Sequence, residues 1–492
     1  MPLLWIIWLN KFCKQKEEVM LQKNIRIQYI IFSLLIIWFT ACRVGKNYQR
    51  PELELPQQFQ AVSFADTSSI ADIDWKAFFT DVTLQQLIEK GLAHNHDLLI
   101  AIKRMEVARL QSKQAELLQL PDVNLQVTAQ YNRPSDNSLN GISAKSFLGK
   151  SHIENYNAIV ALSWEADIWG KIRRQQEAAL ARYLQSYEAV RAVQTQLVAN
   201  IAQGYFNLLM LDRQLEITRV NLAVNDSFVT ATRLLRNAGI GTSLAVQQAI
   251  AQQQTTALLI PKLEQSRALE ENALQILTGS LPGKLTLSAT MQDYRLPENL
   301  STGLPVAMVS RRPDVRASEM ALVAANAEVG VAQANMYPAL NITAGGGLES
   351  FKSSNWFNIP NSLFGLAAGS IAQPIFNRNA LKTQAAVAGQ QREQAVIEFR
   401  QTVLRATGEV SDALIQLEQL KKQQQIAADQ VDTLTHAVFN AQLLFKSDMA
   451  NYLEVLLAQG SVIRAQLELV TIRRDQMGAA VELYRSLGGG WK

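Results

Sequence analysis

The 492-residue chain contains little cysteine and little charge, with two cysteines, Cys13 and Cys42, and 18% charged residues. Two cysteines cannot form a disulfide framework or a four-cysteine zinc site. The charged fraction is below the usual value of about 25%, and 48% of the residues are hydrophobic, so the chain as a whole is not intrinsically disordered. Its length allows roughly two to four domains or one long repeat architecture.

An excess of charge of one sign is also missing from most of the chain. Residues 1–41 contain five basic and two acidic residues, and the remainder contains 42 basic and 41 acidic residues. A nearly neutral body without a basic stripe gains little from the release of phosphate counterions. Nucleic acid is therefore not expected as a partner.

Nucleotide-binding patterns are absent as well. The sequence has no GxxxxGK[ST] phosphate loop. The pair Gly239 and Gly241 follows a predicted helix, whereas a dinucleotide-binding fingerprint follows a strand. We therefore predict that the chain contains no energy source of its own.

The N-terminal apolar run, residues 29–41, is too short to cross a bilayer, which needs about 20 apolar residues. It follows Lys23 and Arg26 and has 13 residues, as in the apolar core of a signal peptide. The run ends in FTAC and resembles a bacterial lipobox, in which the cysteine is acylated and becomes the first mature residue; Phe39 stands where leucine is usual. The alternative is a plain secretory signal in which Cys42 is incidental.

Residues 1–19 are either an upstream extension, with translation beginning at Met20, or a long n-region of the signal. If Cys42 is acylated, the mature chain has 451 residues. Arg43 begins no acidic run that would redirect the lipoprotein. We therefore expect an outer-membrane anchor facing the periplasm.

The rest of the chain is an internal duplication, which is the first thing to look for in a long sequence. Asp97 lies 24 residues before Pro121, and Asp314 lies 24 residues before Pro338. The offset between these pairs is 217 residues, and beyond the extended regions the correspondence resumes at 209. Each half is predicted to contain a helix, an extended region, a very long helix, a turn and a returning helix.

Each extended region is predicted to form a β-hairpin. Residues 123–131 alternate between apolar and polar, a period of two that indicates a strand, and residues 156–164 form a second extended stretch. In the other half, the stretches are 340–347 and 362–373. The run Gly345, Gly346 and Gly347 is interpreted as a source of backbone flexibility in a barrel or hinge. Strands of about nine to eleven residues with alternating faces suit a membrane barrel.

A 3.5-residue apolar repeat dominates the long helix of the second half, predicted at residues 379–446, or about 100 Å as one helix. Such a repeat, held for more than six heptads, indicates coiled-coil packing. In the returning helix of the first half, 244–277, Pro261 is expected to kink or break the helix. The repeat consists of Phe399, Val403, Ala406, Val410, Ala413, Leu417, Leu420, Ala427, Val431, Leu434, Val438, Ala441 and Phe445.

Two clusters could suggest chemistry, but both favour structural interpretations. His94, His96 and Asp97 resemble a metal or nuclease set, yet Asp97 begins an apolar-periodic helix and is expected to cap it. Asp72 and Asp74 are interpreted as a solvated segment before a helix that starts near residue 81. We predict no catalytic residue and no metal site.

Three stretches together resemble the lipidated, NodT-type branch of the TolC-like outer-membrane efflux proteins: CRVGKNYQRPELELP from Cys42, the block at 304–347 that contains RRPD at 311–314, and the ending LYRSLGGGW. Lys46 departs from the family's usual proline. The resemblance implies a mainly α-helical fold with a transmembrane β-barrel. Three identical chains would each give four strands to a twelve-stranded barrel, continued by a periplasmic α-barrel. Two hairpins cannot close a barrel alone, and lipid does not tolerate open strand edges.

The resemblance divides the chain into four segments. It implies a signal peptide at residues 1–41 and a lipidated N-terminal segment at 42–80. A first efflux-protein repeat follows at 81–285, with strands at about 122–165. A second lies at 300–490, with strands at about 339–374.

The implied function is transport without chemistry. The homotrimer would be a passive outer-membrane duct that receives small molecules from a proton-driven inner-membrane pump through a periplasmic adaptor, or membrane fusion protein. It would need no cofactor beyond the covalent lipid on Cys42. The alternatives are a lipid-anchored periplasmic coiled-coil scaffold without a pore, or the duct of a protein-secretion or metal-efflux system.

The resemblance also implies a gate and an adaptor-docking surface at the two helix-to-helix turns, residues 237–243 and 446–452. Asp448 stands at the family's usual glycine position and Ala450 at its acidic position. We therefore hypothesise a displaced ring of three Asp448 carboxylates that favours cations; the alternative is a solvated turn aspartate. Arg233 and Arg236 could pair with Asp448 or face the adaptor. The candidate residues are Arg236, Gly239, Thr242, Ser243, Asp448, Asn451 and Tyr452.

Overall fold

The computed structural model describes residues 44–53, 69–292, 294, 305–447 and 449–491. The predictions for the signal peptide, for Cys42 and for Asp448 lie outside the described residues. The short helical turns are Ile70–Asp72, Leu117–Gln119, Ala144–Leu148 and Ser353–Asn355. The helices and strands are α1 (Trp75–Phe78), α2 (Val82–His94), α3 (His96–Glu116), β1 (Asp122–Asn132), α4 (Leu139–Ser143), β2 (Ile153–Ala166), α5 (Lys171–Asn237), α6 (Ser243–Leu277), α7 (Pro305–Arg311), α8 (Pro313–Ala334), β3 (Ala339–Ser350), β4 (Leu363–Ala372), α9 (Ala380–Lys446) and α10 (Tyr452–Ser486).

The order helix, two strands, long helix and returning helix occurs twice, first as α3 to α6 and then as α8 to α10. The long helices α5 and α9 each have 67 residues, and the returning helices α6 and α10 each have 35. The predicted duplicated architecture is therefore confirmed. The described residues divide into two compact units. The first comprises those up to residue 50 with 109–182 and 322–395, and the second comprises 51–108, 183–321 and those from 396 onward.

The first unit contains one four-stranded antiparallel sheet in the order β1-β2-β3-β4. Val127 lies opposite Ala158, Ala158 opposite Leu348, and Leu348 opposite Leu363. All four predicted strands are present, each within one or two residues of its predicted bounds or longer. Within the described residues, β1 and β4 each pair on one side only.

In the second unit, the apolar repeat of α9 is buried. Phe399, Ala406 and Val410 are fully buried, and later members such as Leu434 are half-buried. The predicted helix packing is therefore confirmed. Other apolar residues of α9 face solvent in the single chain, namely Ile397, Leu404, Ile415, Ile426 and Phe439.

Of the two outcomes expected at Pro261, the break does not occur, because α6 continues as one helix through that residue; the kink stays a prediction. Side-chain contacts with α5 hold α6 on both sides of the proline. Asn225 donates to the Thr256 hydroxyl at 2.8 Å before it, and Arg267 donates to Asp212 at 2.5 Å after it. Losing one backbone hydrogen bond is therefore outweighed by packing.

The predicted cap of α3 is also wrong. The side chain of Asn95, rather than that of Asp97, accepts the hydrogen bond of a free backbone amide, that of Leu98, at 3.0 Å. Its amide group donates to the carbonyl of Leu277 at 2.9 Å. Asp97 is exposed. Asn95 caps the helix because its side chain satisfies free backbone groups at two helix ends, the start of α3 and the end of α6.

Candidate functional site

One face of the sheet is continuously apolar. Residues that lie opposite one another in adjacent antiparallel strands point to the same face, so the strand register assigns every side chain. Apart from residues at the strand ends, this face carries no charged side chain. Its larger members are Val123, Leu125, Val127, Tyr131, Tyr156, Val160, Leu162, Trp164, Leu340, Ile342, Leu348, Leu363 and Ile371.

The opposite face is mainly polar. Its large apolar members are Ile153 at the start of β2 and, next to Gly345 and Gly347, Ile159, Phe364 and Leu366. An apolar face backed by a polar one is the pattern of a membrane barrel, with lipid on one side and water on the other. The polar members are Asn124, Gln126, Thr128, Gln130, Asn155, Asn157, Ser163, Glu165, Asn341, Thr343, Glu349 and Ser370.

Aromatic side chains mark both ends of the apolar face. At the hairpin end, the ring of Tyr156 lies 5.5 Å from that of Trp356. At the other end, Trp164 donates to the carbonyl of Gln119 at 2.9 Å. Tyr156 and Trp164 are eight residues apart in β2, or about 26 Å along the strand. This matches the apolar band of about 25 Å, flanked by aromatic girdles, that barrels place in the outer membrane.

The glycine run lies in the middle of β3, where the two halves of the chain pair. A side chain at Gly347 would place its Cβ 2.8 Å from Ile159 Cα and closer still to the Ala158 carbonyl oxygen. A Cβ at Gly345 would lie 3.0 Å from the Val160 carbonyl oxygen. Gly347 thus permits a close approach of β2 to β3, and all three glycines are paired in strand.

The first tip turn wraps around the last carbonyls of α5. The amides of Ile240 and Gly241 both donate to the carbonyl of Leu235, at 3.0 and 3.1 Å. Gly239 has a φ of +76°, which glycine adopts without steric cost. The Thr242 hydroxyl accepts the amide of Ala245 at 3.2 Å and so caps α6. Ser243 is the exposed first residue of α6.

The second tip turn repeats this construction 209 residues later. The amides of Met449 and Ala450 donate to the carbonyl of Leu444 at 2.9 and 3.3 Å. The Asn451 side chain accepts the amides of Leu453 and Glu454, at 2.9 and 3.2 Å, and so caps α10. By the same offset, the counterpart of Gly239 is residue 448.

A cleft of about 680 Å³ lies between the two turns and is lined by both of them. Ile240 is 73% exposed and Met449 77% exposed, so the tips present large apolar side chains to solvent. Tyr452 packs against the hydrophobic cluster formed by Phe228, Val229, Ala249 and Val455. Of the described candidate residues, Thr242, Asn451 and Tyr452 line this cleft, and Arg236, Gly239 and Ser243 lie in or beside the first turn.

The charges at this surface are mostly basic among the described residues. Arg233, Arg236 and Lys446 flank the turns, and Glu454 lines the cleft. The guanidinium of Arg236 donates to Asn237 Oδ1 at 2.8 Å, within the same turn.

The RRPD motif forms a buried ion-pair network in the second unit. Arg312 is only 3% exposed; it contacts Asp314 at 2.6 Å and Glu409 at 2.9 Å and donates to the Ser486 carbonyl at 3.0 Å. Arg485 shares Glu409 at 2.9 Å. The motif therefore joins the start of α8 to α9 and to the end of α10.

The same network shifts the pKa values of its members. Burial alone would lower the pKa of Arg312, but its contacts with Asp314 and Glu409 outweigh burial and raise it. Burial would raise the pKa of Asp314, but the bonds from Arg312 outweigh burial and lower it. Both groups therefore stay charged over the ordinary pH range.

The clusters that could suggest chemistry have structural contacts in the described part of the chain. No group of three or more histidine, cysteine or acidic residues gathers there to hold a metal. Asp74 caps α1 by accepting the Lys76 amide at 2.7 Å, and Asp72 pairs with Arg311 at 2.9 Å. The interpretation of these two aspartates as structural is consistent with these contacts.

Sequence reasoning missed one buried arginine, Arg174, at the start of α5. It is 0% exposed and donates to residues of the segment that follows Cys42. The available signal was spacing: Arg174 lies four residues before the buried Ala178, which lies three residues before the buried Ala181, so Arg174 continues the apolar repeat of α5.

Known proteins are similar to this chain in sequence and in fold. Residues 87–280 and 304–489 match the outer membrane efflux protein family. The cation efflux system protein CusC of Escherichia coli K12 is 30% identical, covering 92% of this chain and 97% of CusC. The probable outer membrane lipoprotein SilC of Salmonella typhimurium is 29% identical, covering 95% and 99%.

A solved structure agrees with these relatives. The open state of the MtrE outer membrane channel of Neisseria gonorrhoeae is 26% identical, has a TM-score of 0.82, and covers 92% of this chain and 99% of that one. The family match spans both halves of the duplication, including the sheet and the two tip turns. The chain therefore belongs to the outer membrane efflux protein family and is an outer membrane channel of the TolC-like type.

Proposed function

We propose that three copies of this chain form the passive outer-membrane duct of a tripartite efflux system. The observation that carries the proposal is the sheet, which has one apolar face, one polar face and two outer strands that each pair on one side only among the described residues. Open strand edges are not tolerated in lipid. Four strands are also too few to enclose a lumen, because even eight leave only a side-chain-filled interior. Three copies would give twelve strands.

The exposed apolar residues of α9 support the same assembly. Ile397, Leu404 and Ile426 face solvent in the single chain, although α9 buries its apolar repeat on the opposite side. Helices that are apolar on two sides need neighbours on both. Adjacent copies would cover these residues.

The duct would need energy from elsewhere, since we infer no catalytic role for any described residue. An inner-membrane pump and a periplasmic adaptor would supply substrate, with the adaptor docking on the tip residues Arg236, Gly239, Thr242, Ser243, Asn451 and Tyr452. A pore-free scaffold would have no need for a sheet with one lipid-type face and one polar face. Metal cations are a second candidate cargo, favoured by the similarity to CusC, a cation efflux protein by name.

The duct proposal is tested on the full-length protein extracted in detergent. We expect a mass of three chains by light scattering, a threefold ring in electron-microscope class averages viewed along the long axis, and stepwise conductance after insertion into planar bilayers. A monomer or dimer without conductance would overturn the duct and favour the scaffold.

Asp448→Ala tests the proposed carboxylate ring. Three carboxylates around a narrow lumen stabilise a passing cation by about 1 kcal/mol in water-like surroundings. We therefore expect the variant to lose cation preference, measured as the reversal potential across a salt gradient in single-channel recordings. Asp432→Ala, which removes an exposed acid of α9, is the control. An unchanged reversal potential for Asp448→Ala would contradict the ring.

Cys42→Ser tests the proposed lipid anchor. Val44, two residues later, donates its amide to the Trp169 carbonyl at 3.2 Å. The chain that follows Cys42 is thus attached, from Val44 onward, to the residues that come after β2. We expect Cys42→Ser to abolish incorporation of labelled palmitate, and Cys13→Ser to leave it intact. Equal labelling of both variants would refute the assignment.

A further inference from the structure

The segment that follows Cys42 is held against the first unit by polar contacts. The carbonyl of Gly45 accepts from Arg174 at 3.0 Å, and the side chain of Asn47 accepts from the same guanidinium at 3.2 Å. The carbonyl of Lys46 accepts from Asn326 at 3.1 Å. Three consecutive residues are thus fixed to α5 and α8.

Arg174 is an unusual residue to find in this place. Its side chain is fully buried, and burying a guanidinium is costly unless its hydrogen bonds are satisfied. Glu177, one turn further along α5, contacts it at 2.7 Å. The Nε atom has no hydrogen-bond partner. The Nη2 atom donates to the segment at both Gly45 and Asn47, so docking of the segment satisfies this buried nitrogen, while Glu177 supplies the opposite charge.

Two glycines make room for this arginine. A Cβ on Gly330 of α8 would lie 2.9 Å from Arg174 Cδ, and a Cβ on Gly45 would lie 2.9 Å from Gly330 Cα. Gly45 also has a φ of +88°, which disfavours any other residue. The guanidinium therefore lies in a slot that exists only because both glycines lack side chains.

The slot is present in one half of the duplication only. The offset of 209 residues makes Thr383 the counterpart of Arg174, and the offset of 217 makes Lys113 the counterpart of Gly330. Neither the buried guanidinium nor the glycine gap is therefore repeated. The two halves differ where the N-terminal segment docks, which indicates that the slot serves this segment rather than the general packing of the helices.

We infer that Arg174 is a positioning residue for the N-terminal segment. Together with Gly45 and Gly330, it locks residues 45–47 to α5 and α8. This role is separate from the proposed duct function. The contacts are made to backbone carbonyls and to Asn47, so they do not require a lipid on Cys42. Lys46 is exposed at the middle of the lock, so the bond between Lys46 and Asn47 is a natural trypsin site that reports on opening.

The test is limited trypsin digestion of the full-length protein in detergent, with the new N-terminus at Asn47 quantified by mass spectrometry. We expect Arg174→Ala to be cut at least about tenfold faster than the wild type, because two charge-assisted hydrogen bonds are lost. Arg173→Ala is the matched control. Arg173 is the neighbouring residue, but its side chain is 56% exposed and pairs with Asp167, so its loss should leave cleavage unchanged.

Two further variants separate positioning from general folding. Arg174→Lys keeps the charge but replaces the planar fork of guanidinium donors by a single ammonium nitrogen, so its cleavage rate should lie between those of the wild type and Arg174→Ala. Gly45→Ala changes only the docked segment and should accelerate cleavage while leaving the thermal midpoint of the protein unchanged. If Arg174→Ala fails to fold, Gly45→Ala decides the question. Wild-type cleavage rates in Gly45→Ala, or equal acceleration by Arg173→Ala, would overturn the lock.

Discussion

Replacing Arg312 with alanine is expected to lower the apparent free energy of unfolding by about 1.5–3 kcal/mol, the usual size of a hydrogen-bonded contact between charged groups, because Arg312 is buried while Asp314 and Glu409 are partly exposed. The substitution would leave Asp314 without its cation and free the Ser486 carbonyl, while Glu409 would keep only its contact with Arg485. The start of α8 would then lose its attachment to α9 and α10. Guanidinium denaturation of the detergent-solubilised protein, followed by circular dichroism, measures the effect.

The neighbouring arginine provides the control for this prediction. Arg311 pairs with Asp72 at 2.9 Å, but both side chains are partly exposed. An exposed pair contributes about 0–1 kcal/mol, so Arg311→Ala should barely shift the denaturation midpoint. Equal effects of the two substitutions would show that burial of Arg312 does not matter.

The network also predicts a dependence on acid. Because the folded pKa of Asp314 is lowered, the stability it contributes is fully present above its unfolded pKa of about 3.9 and is lost as pH falls through the lower folded pKa. The wild type should therefore lose stability below about pH 4 more steeply than Arg312→Ala. Parallel curves for the two proteins would contradict the assigned pair.

Gly347→Ala is expected to be the most damaging single change in the sheet. The added methyl group would overlap the Ala158 carbonyl oxygen and lie 2.8 Å from Ile159 Cα. Both are backbone atoms, which cannot move aside as a side chain can, so β2 and β3 must separate. Overpacking of this kind costs about 1–3 kcal/mol or more, incurred once in each copy. We expect a lower yield of membrane-inserted protein and a lower melting temperature.

The same strand supplies a matched control. A Cβ at Gly346 would lie 3.5 Å from the Phe364 carbonyl oxygen, an ordinary contact, and one at Gly369 of β4 would meet nothing within 4 Å. Gly346→Ala and Gly369→Ala should therefore insert and melt like the wild type. If all three variants behave alike, the approach of β2 to β3 does not limit the sheet.

Strands and helices were predictable because their periodicities are local. The alternation at residues 123–131 lies within β1, and the helix predicted at 379–446 differs from α9 by one residue. The break at Pro261 was wrong because contacts with α5 decide the outcome, and a sequence window around a proline does not contain them. Intrinsic preference gives way to tertiary packing in such cases.

The roles of the capping residue Asn95 and the locking residue Arg174 could not be predicted from the sequence, because they depend on long-range contacts. Asn95 and Asp97 are both suitable caps by residue type, and the choice between them follows from the Leu277 carbonyl, 182 residues away. The spacing of Arg174 places it on the buried side of α5, but its acceptor Gly45 lies 129 residues earlier. Hydrogen bonds of this range leave no periodic trace in a sequence. Cys42 and Asp448 stay predictions.

The strand order of the sheet has a consequence for how quickly it forms. β1 with β2, and β3 with β4, pair as neighbours in sequence, so each hairpin can assemble from local contacts within microseconds. Joining β2 to β3 instead closes a loop of roughly 170 residues, between Ala166 and Ala339, and its entropic cost grows only with the logarithm of that length. If the intervening helices α5 and α6 form first, β2 and β3 have fewer conformations to sample before they pair. Formation of the central ladder, at the glycine run, is then the slow step within one chain.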